Sequence, residues 1–521
     1  MGERCKLRFI GGPARFVPVA LLLLALATRL VPGPRTVDDA YITFRYARNL
    51  VEGRGFVYNP GERVLGTTTP LYTFLLSGLA LVTGSQDFPM LAVALNGVAG
   101  AVAVLLLYHL GRRFAGPRAV GTAAALLWAV APYSVTFAIG GMETDLTIGL
   151  ILAAFLAHLS DRPLLVSLWA ALAFLARPDT LIATAPLFLD LWLARRRFPW
   201  REAGAVLGLL APWLLFATFT FGNPLPVSIA AKSAAYRLPP VADLLRLLQH
   251  YATPFFEFQV LPPLGVVLAF GLYLGLAVLG GRAAFRHNPR AWPVSFYPLT
   301  YGGVLALVNP LLFRWYLSPP LPVYFLLVLT GVWTVSCDIR RWGNRENADR
   351  ATNPPAASLP VYLLLALFTF AALGLTLNAW TLHPDHGPDR PAPEMAWFQL
   401  ELLYREAADV VRADAQEGAT LCAGDIGVLG YRTGLRILDT VGLVTPQAHR
   451  YYPADPGIYV INYAIPADLV LDLEPDYVVI LEVYGRRGLL PDPRFQARYR
   501  LLEKIETDIY GSDGMLIFAR R

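Results

Sequence analysis

Eleven apolar stretches, at residues 16–32, 88–110, 119–138, 146–159, 164–176, 180–194, 202–221, 262–280, 292–310, 316–336 and 358–380, limit what this chain can fold into. A hydrocarbon core is about 30 Å thick and asks for about 20 apolar residues per helical crossing. Several of the stretches are short or broken by proline, so their ends are soft. In lipid every backbone N–H and C=O needs an internal partner, so the crossings are expected to be helices. Only 16% of the residues are charged and 55% are apolar, where a soluble domain carries about 25% charged. The chain therefore reads as a mainly α, polytopic membrane protein. The first stretch follows Arg4, Lys6, Arg8 and Arg15 and could imitate a secretory signal, but no small-residue cleavage site follows it, and it is read as a retained first helix.

The net charge of +6 conceals a split. Residues 381–521 hold 14 Lys and Arg against 21 Asp and Glu, which leaves −7 there and +13 in the rest. The excess is a topology signal and not a nucleic-acid footprint. Arginines gather at Arg112/Arg113/Arg118, Arg195/Arg196/Arg197/Arg201, Arg282/Arg286/Arg290 and Arg340/Arg341/Arg345/Arg350. The positive-inside rule places these loops and the N-terminus in the cytoplasm of a multi-pass plasma-membrane protein. The intervening loops then face out: the first, 33–69, with residues 140–145, 177–179, 223–259, 313–319 and the tail. Segment 70–83 resembles a further span but would invert the Arg112 loop if it crossed, so a re-entrant or interfacial helix on the outer side is expected, the alternative being an extra full span with one basic loop outside.

The chain divides into a membrane domain, 1–380, and an extracytoplasmic α/β domain, 381–521, behind the Pro-rich boundary H-P-D-H-G-P-D-R-P-A-P. An amphipathic helix is expected over 394–416, then strands at 419–423, 435–439, 477–481 and 514–519. Residues 347–358 form a short linker. Cys5 and Cys337 fall inside and Cys422 outside, so no pair can bridge, and no metal signature appears.

Chemistry is most concentrated at Asp38 and Asp39, which open V-D-D-A-Y-I-T-F-R-Y-A-R-N-L-V-E-G-R-G-F-V-Y-N-P-G-E-R-V in the first outer loop. Acids at the end of a span are expensive and rarely idle. The plainer reading makes Asp38 an N-cap and Asp39 a first-turn acid, yet a pair exceeds what capping requires. Successive helical side chains point about 100° apart, so one acid is expected to face substrate while the other caps, binds a cation or holds an arginine.

This run resembles the membrane-embedded glycosyltransferases of the GT-C fold, which use polyprenyl-phosphate sugars. In particular it resembles the actinobacterial arabinofuranosyltransferases that add terminal β-(1→2) arabinofuranose. The likeness rests on Asp38, Asp39, Tyr41, Arg45 to Val51, Gly53 and Gly55 and is dense over residues 37–64. It departs at L-G-T-T-T-P-L-Y, where E-G-Y-T-N-P-L-W is expected. The resemblance implies a GT-C-like bundle of about 11 spans, an outer-loop carboxylate as base, a lipid-linked sugar donor and a glycan, lipid or protein acceptor. The reading leans to Asp39 as the base, Asp38 being the alternative, with Tyr41 and Arg45 at the substrate.

A lipid-phosphate leaving group needs outer positive charge. Lys232, one of only three lysines against 41 arginines, is the first candidate, and Arg314 with Tyr316 in F-R-W-Y-L-S-P the second; snorkelling and interface anchoring are the plainer accounts. Glu143 and Asp145 in G-G-M-E-T-D suit acceptor orientation or a helix N-terminus. Arg177 and Asp179 interrupt an apolar stretch and are expected to line a watery cavity. Thr67, Thr68 and Thr69 are read as a helix cap. In the tail, G-D-I-G-V-L-G-Y-R-T-G at 424–434 lacks the Lys-Ser/Thr of a phosphate loop. Asp425 and Asp439 are read as closing turns, and Tyr451, Tyr452, Tyr459 and Tyr463 as a weak carbohydrate platform. No cofactor is implied; a divalent cation is left open, two carboxylates being too few to specify one. The rivals are a transporter or flippase, and an aminoarabinose or mannose transferase to lipid or protein.

Overall fold

The computed structural model describes residues 16–255, 261–343, 359–383 and 389–521. The N-terminal basic residues with Cys5, Arg345, Arg350, the 347–358 linker, positions 256–259 and most of the Pro-rich boundary lie outside the described residues.

The bundle contains α1 (Val17–Leu30), α2 (Asp38–Val51), α3 (Pro70–Thr83), α4 (Phe88–Phe114), α5 (Arg118–Val130), α6 (Pro132–Ile139), α7 (Thr144–Leu159) and α8 (Pro163–Ala176). It continues with α9 (Leu181–Arg195), α10 (Trp200–Phe221), α11 (Val227–Ala235), α12 (Ala242–Ala252), α13 (Pro263–His287), α14 (Trp292–Val308), α15 (Leu321–Gly343) and α16 (Leu359–Leu377). Helices α4, α10, α13, α15 and α16 are long and apolar enough to cross a membrane. Counted as one span, the α5–α6 pair is a sixth, bent by 45° where Pro132 lacks the N–H that would continue the ladder. Helices α1, α7 and α8 are apolar but shorter. Proline in the first turn starts α1, α3, α4, α6, α8, α13 and α14, where its missing N–H costs no intrahelical bond.

The Arg-rich loops meet at one end of the bundle. Arg290 pairs with Asp161 at 2.5 Å, Arg195 with Glu202 at 2.8 Å, and Gly116 abuts the His287 ring. The tail covers the other end. Helix α3 stays there: the Cβ position of Gly66, just before it, abuts Leu443 of the tail, while the Gln86 carbonyl just after it accepts a hydrogen bond from Tyr431 of the tail. Its 14 residues reach about 21 Å, short of a crossing. Both ends of this apolar helix therefore lie on the tail side.

The tail opens with the two-stranded β1 (Trp380–His383) and β2 (Arg390–Pro393). Helix α17 (Gln399–Asp414) follows, shorter at both ends than the expected 394–416 because Glu394–Ala396 forms a separate 3-10 turn. Then come β3 (Thr420–Ala423), α18 (Gly427–Thr433), β4 (Arg436–Asp439), α19 (Ala467–Leu473), β5 (Tyr477–Leu481), α20 (Glu482–Gly485), α21 (Pro493–Arg498), β6 (Tyr499–Ile505) and β7 (Met515–Arg520). The sheet order is β4-β3-β5-β7-β6, with β3 parallel to β4 and β5, and β7 antiparallel to β5 and β6.

The first loop is packed into this domain. Asn59 both donates to the Ile437 carbonyl (2.9 Å) and accepts from its N–H (3.0 Å), pairing with edge strand β4 as a strand would. Tyr58 donates to the Ile426 carbonyl at 2.5 Å, and first-loop and tail side chains share one apolar core.

Candidate active site

The two aspartates lead in different directions. The N-cap of α2 is Val37, in extended conformation, and Asp38 is its first helical residue. Asp38 does cap a helix, but one in the tail: its carboxylate accepts the backbone N–H of Gly427 (3.0 Å) and of Val428 (2.7 Å) at the start of α18. The fit requires glycine, because a Cβ at position 427 would lie 1.7 Å from the Asp38 carbonyl oxygen. Burial, followed by the charge of Asp425, pushes the Asp38 carboxyl well above the usual carboxylate range despite the two N–H bonds.

Asp39, one helical step on, faces a cavity of about 910 Å³ at the tail end of the bundle. Glu143, Arg177, Asp179, Lys232 and Tyr316 also line it, with Thr67, Thr68 and Thr69. Residues from the first outer loop, the α6–α7 turn, the α8–α9 turn, α11 and the segment before α15 thus meet in one place.

The charges in the cavity are paired. Lys232 Nζ lies 3.8 Å from Asp39 Oδ2 and over the Phe313 ring at 4.6 Å. Asp39 and Lys232 keep 25% and 29% of their side-chain exposure, so both remain open to a ligand. Arg177 holds Asp179 through two bonds of 3.0 and 2.8 Å, approaches Glu143 at 3.8 Å, and lies over the Tyr316 ring at 4.5 Å. Tyr301 donates to Asp179 at 3.0 Å. Two cations beside two aromatic faces, with carboxylates paired to each, form a site that suits an anionic group and a hydroxyl together.

Other singled-out residues sit elsewhere. Asp145 is paired with Arg29 at 2.7 Å inside the bundle, both fully buried, and a Cβ at Gly100 would collide with both side chains. It holds α7 to α1 and does not line the cavity. Tyr41 accepts a hydrogen bond from Arg405 (3.1 Å) and shares one with the Thr36 hydroxyl (3.0 Å). Arg45 is buried and donates to the carbonyls of Tyr58, Gly430 and Leu435, fastening the first loop to the tail. Arg314 is exposed beside Tyr510 of the tail, outside the lining, while its neighbours Trp315 and Tyr316 belong to it. Tyr452, Tyr459 and Tyr463 are buried, with hydroxyls donating to Ala464, Ala235 and Thr440, so they offer no stacking surface.

Some contributors escaped the sequence reading. Tyr236, Leu443 and His449 line the cavity. Asp425, read from the sequence only as closing a turn, acts electrostatically on Asp38, takes a 2.6 Å hydrogen bond from Tyr404, and is raised to about 6 by burial, with Asp39 adding to the rise. Their signal was weak because they come from segments far along the chain from the first outer loop, Tyr236 just after α11 and Leu443 and His449 from one loop of the tail. Among the described residues no group of three or more His, Cys, Asp or Glu is placed to hold a metal; an ion at Asp39 would need oxygens from a substrate.

Bundle, first loop and tail together form the GT-C membrane fold. The chain superposes on the crystal structure of ArnT from Cupriavidus metallidurans in the apo state with a TM-score of 0.57, over 97% of each chain and at 12% identity, which bears on the fold alone. In sequence it is similar to the terminal beta-(1->2)-arabinofuranosyltransferase of Mycobacterium tuberculosis, 31% identical over 218 residues, 38% of this chain and 35% of that protein. The Corynebacterium glutamicum protein of the same name is 38% identical over 79 residues, 15% of this chain and 12% of that protein. The matches thus span about a third or less of these relatives. Residues 394–518 match a family model described as a domain of unknown function (DUF8728).

Proposed function

We propose that this chain is a glycosyltransferase that moves a sugar, with arabinofuranose the first candidate, from a polyprenyl-phosphate donor to a cell-envelope glycan, lipid or protein. The observation that carries the reading is Asp39 and Lys232, 3.8 Å apart and open to one cavity beside Arg177. In the reaction Asp39 takes the proton of the acceptor hydroxyl as its oxygen bonds to the anomeric carbon. The carbon–oxygen bond to phosphate breaks with inversion, and polyprenyl phosphate leaves with the electron pair. Lys232 and Arg177 balance that charge. The proposed donor is supported by a second, apolar groove of about 610 Å³ between α12, α13 and α14, where Gly302 and Ala306 alternate along α14 with Leu305 of the cavity. The tail end is the extracytoplasmic one, since the arginines gather at the other.

The test is transfer by purified protein in lipid from a panel of radiolabelled polyprenyl-phosphate sugars that includes arabinofuranose, aminoarabinose and mannose. Product from one donor supports the reading; sugar moved across the bilayer without product would replace it with a carrier. Lys232→Met is expected to raise the donor KM about ten- to hundredfold, matching the ~1.5–3 kcal/mol of a hydrogen bond to a charged group. An unchanged donor KM would remove Lys232 from the phosphate site.

A further inference from the structure

Most of the cavity is built by the membrane domain, with Leu305, Val308, Leu311 and Leu312 on the side that continues α14. The tail adds Leu443 and His449. This addition comes from a loop that is held with unusual care.

Asp439, at the end of β4, turns its buried carboxylate back on the loop and accepts the N–H groups of Val441 (2.8 Å), Leu443 and Val444 (3.0 Å). Burial raises this carboxyl to about 6 in spite of those bonds. Thr445 Oγ1 accepts the N–H of Asp439 at 2.9 Å and closes the loop. Gly442 lies at φ +93°, and a Cβ there would stand 2.4 Å from Cδ2 of His449. Glycine is therefore required for the imidazole to lie against this backbone.

The ring is oriented by its 3.0 Å contact from Nε2 to the Gly442 carbonyl. A carbonyl only accepts, so Nε2 carries the proton, and in the neutral ring Nδ1 keeps a lone pair. A buried carboxylate and a glycine in the left-handed region together hold this imidazole, its Nε2 engaged by the Gly442 carbonyl, at the wall contributed by the water-facing domain. A lipid-linked donor reaches the site from the membrane, whereas a polyhydroxylated acceptor arrives from water, on the side where the tail lies.

Resting on the transferase reading, we propose that His449 is an acceptor-binding residue whose Nδ1 takes a hydrogen bond from a hydroxyl of the acceptor sugar. The tail loop 439–449 then selects the acceptor while the membrane domain holds the donor. Losing a hydrogen bond that a site is built to make costs binding and leaves the chemistry of the remaining groups in place.

The test uses full-length protein in lipid with a short-chain polyprenyl-phosphate arabinofuranose and an octyl oligo-arabinofuranoside as acceptor. His449→Ala is expected to raise the acceptor KM about tenfold, with kcat within about threefold and slow hydrolysis of donor by water unchanged. His449→Asn, whose amide oxygen reaches the place of Nδ1, is expected to recover part of the loss. Gly442→Ala, which displaces the ring without deleting it, is expected to reproduce the rise and serves if the alanine variant fails to fold. An unmoved acceptor KM in these variants, or a fall in donor hydrolysis parallel to transfer, would overturn the assignment. Wild-type protein that transfers from no donor would sink the transferase reading itself, whereas wild-type transfer with an unmoved acceptor KM sinks only the role of His449.

Discussion

Asp39→Asn is expected to lower kcat/KM for transfer by about 10²–10⁴, the range that a positioned general base supplies. The substitution keeps the volume and one oxygen of the side chain but removes its ability to take a proton. It does not disturb packing, because Asp39 is a quarter exposed at the cavity wall and its charged neighbour Lys232 stands 3.8 Å away; substitutions at such positions usually move stability by no more than about 0.5 kcal/mol. The donor KM is expected to stay level or fall, since Lys232 loses a competing carboxylate. Steady-state kinetics with each substrate varied in turn separates these outcomes. Activity within tenfold of wild type would transfer the role of base to Glu143, the other carboxylate on this wall near Arg177.

The division of labour between the two aspartates follows from helix geometry. Neighbouring positions on a helix diverge by about 100°, and α2 lies where the bundle, the first loop and the tail meet. One acid therefore meets the α18 amides and the other the cavity. That they would diverge was legible in the sequence; what each would meet was not. The partners of Asp38 lie 389 and 390 residues further along the chain, and Arg29 and Asp145 are separated by 116. No local periodicity carries such pairings.

The parts that were legible are those governed by short-range physics. Apolar length marked the helices, although of the eleven expected crossings five, or six with the bent α5–α6 pair, are long and apolar enough to cross a membrane. Arginine placement marked the end at which the loops gather. The same count favoured residues 70–83 staying on one side over a full extra span, and their contacts at both ends place both ends of the helix on the tail side. Strands β3, β4, β5 and β7 were visible as apolar runs between turns. Strand β6 escaped because its edge position leaves Arg500, Leu501 and Glu503 exposed, so Y-R-L-L-E-K-I has no clean alternation. Three of the four tail tyrosines, Tyr452, Tyr459 and Tyr463, were misplaced for a related reason: a tyrosine that donates its hydroxyl to a buried carbonyl or hydroxyl looks, in sequence, like one that stacks on a sugar, whereas Tyr451 stays partly exposed and donates to Asp472.

Asp38→Ala is expected to loosen the tail from the bundle. Two buried N–H groups at the start of α18 would lose their acceptor, at a cost of about 1–3 kcal/mol for each unsatisfied group. The direct readout is hydrogen exchange at Gly427 and Val428, expected to quicken by about 30-fold or more as local opening becomes easier, with faster proteolysis of the tail. The pH dependence carries a distinct sign. Burial, then Asp425, raises the Asp38 carboxyl, and burial raises Asp425 to about 6, while a detached tail would return both to an ordinary value of about 4. Between those values the docked form binds more protons, so docking is strongest below about pH 4 and its proton-linked part is lost as pH rises through about 6. In wild type, protection of the two amides, corrected for intrinsic exchange, is therefore expected to be greater at pH 5 than at pH 7.5, and Asp425→Asn is expected to flatten the difference. Protection that grows toward pH 7.5 would mean that Asp38 is held chiefly as a stabilised anion, and the two N–H bonds would then outweigh its burial.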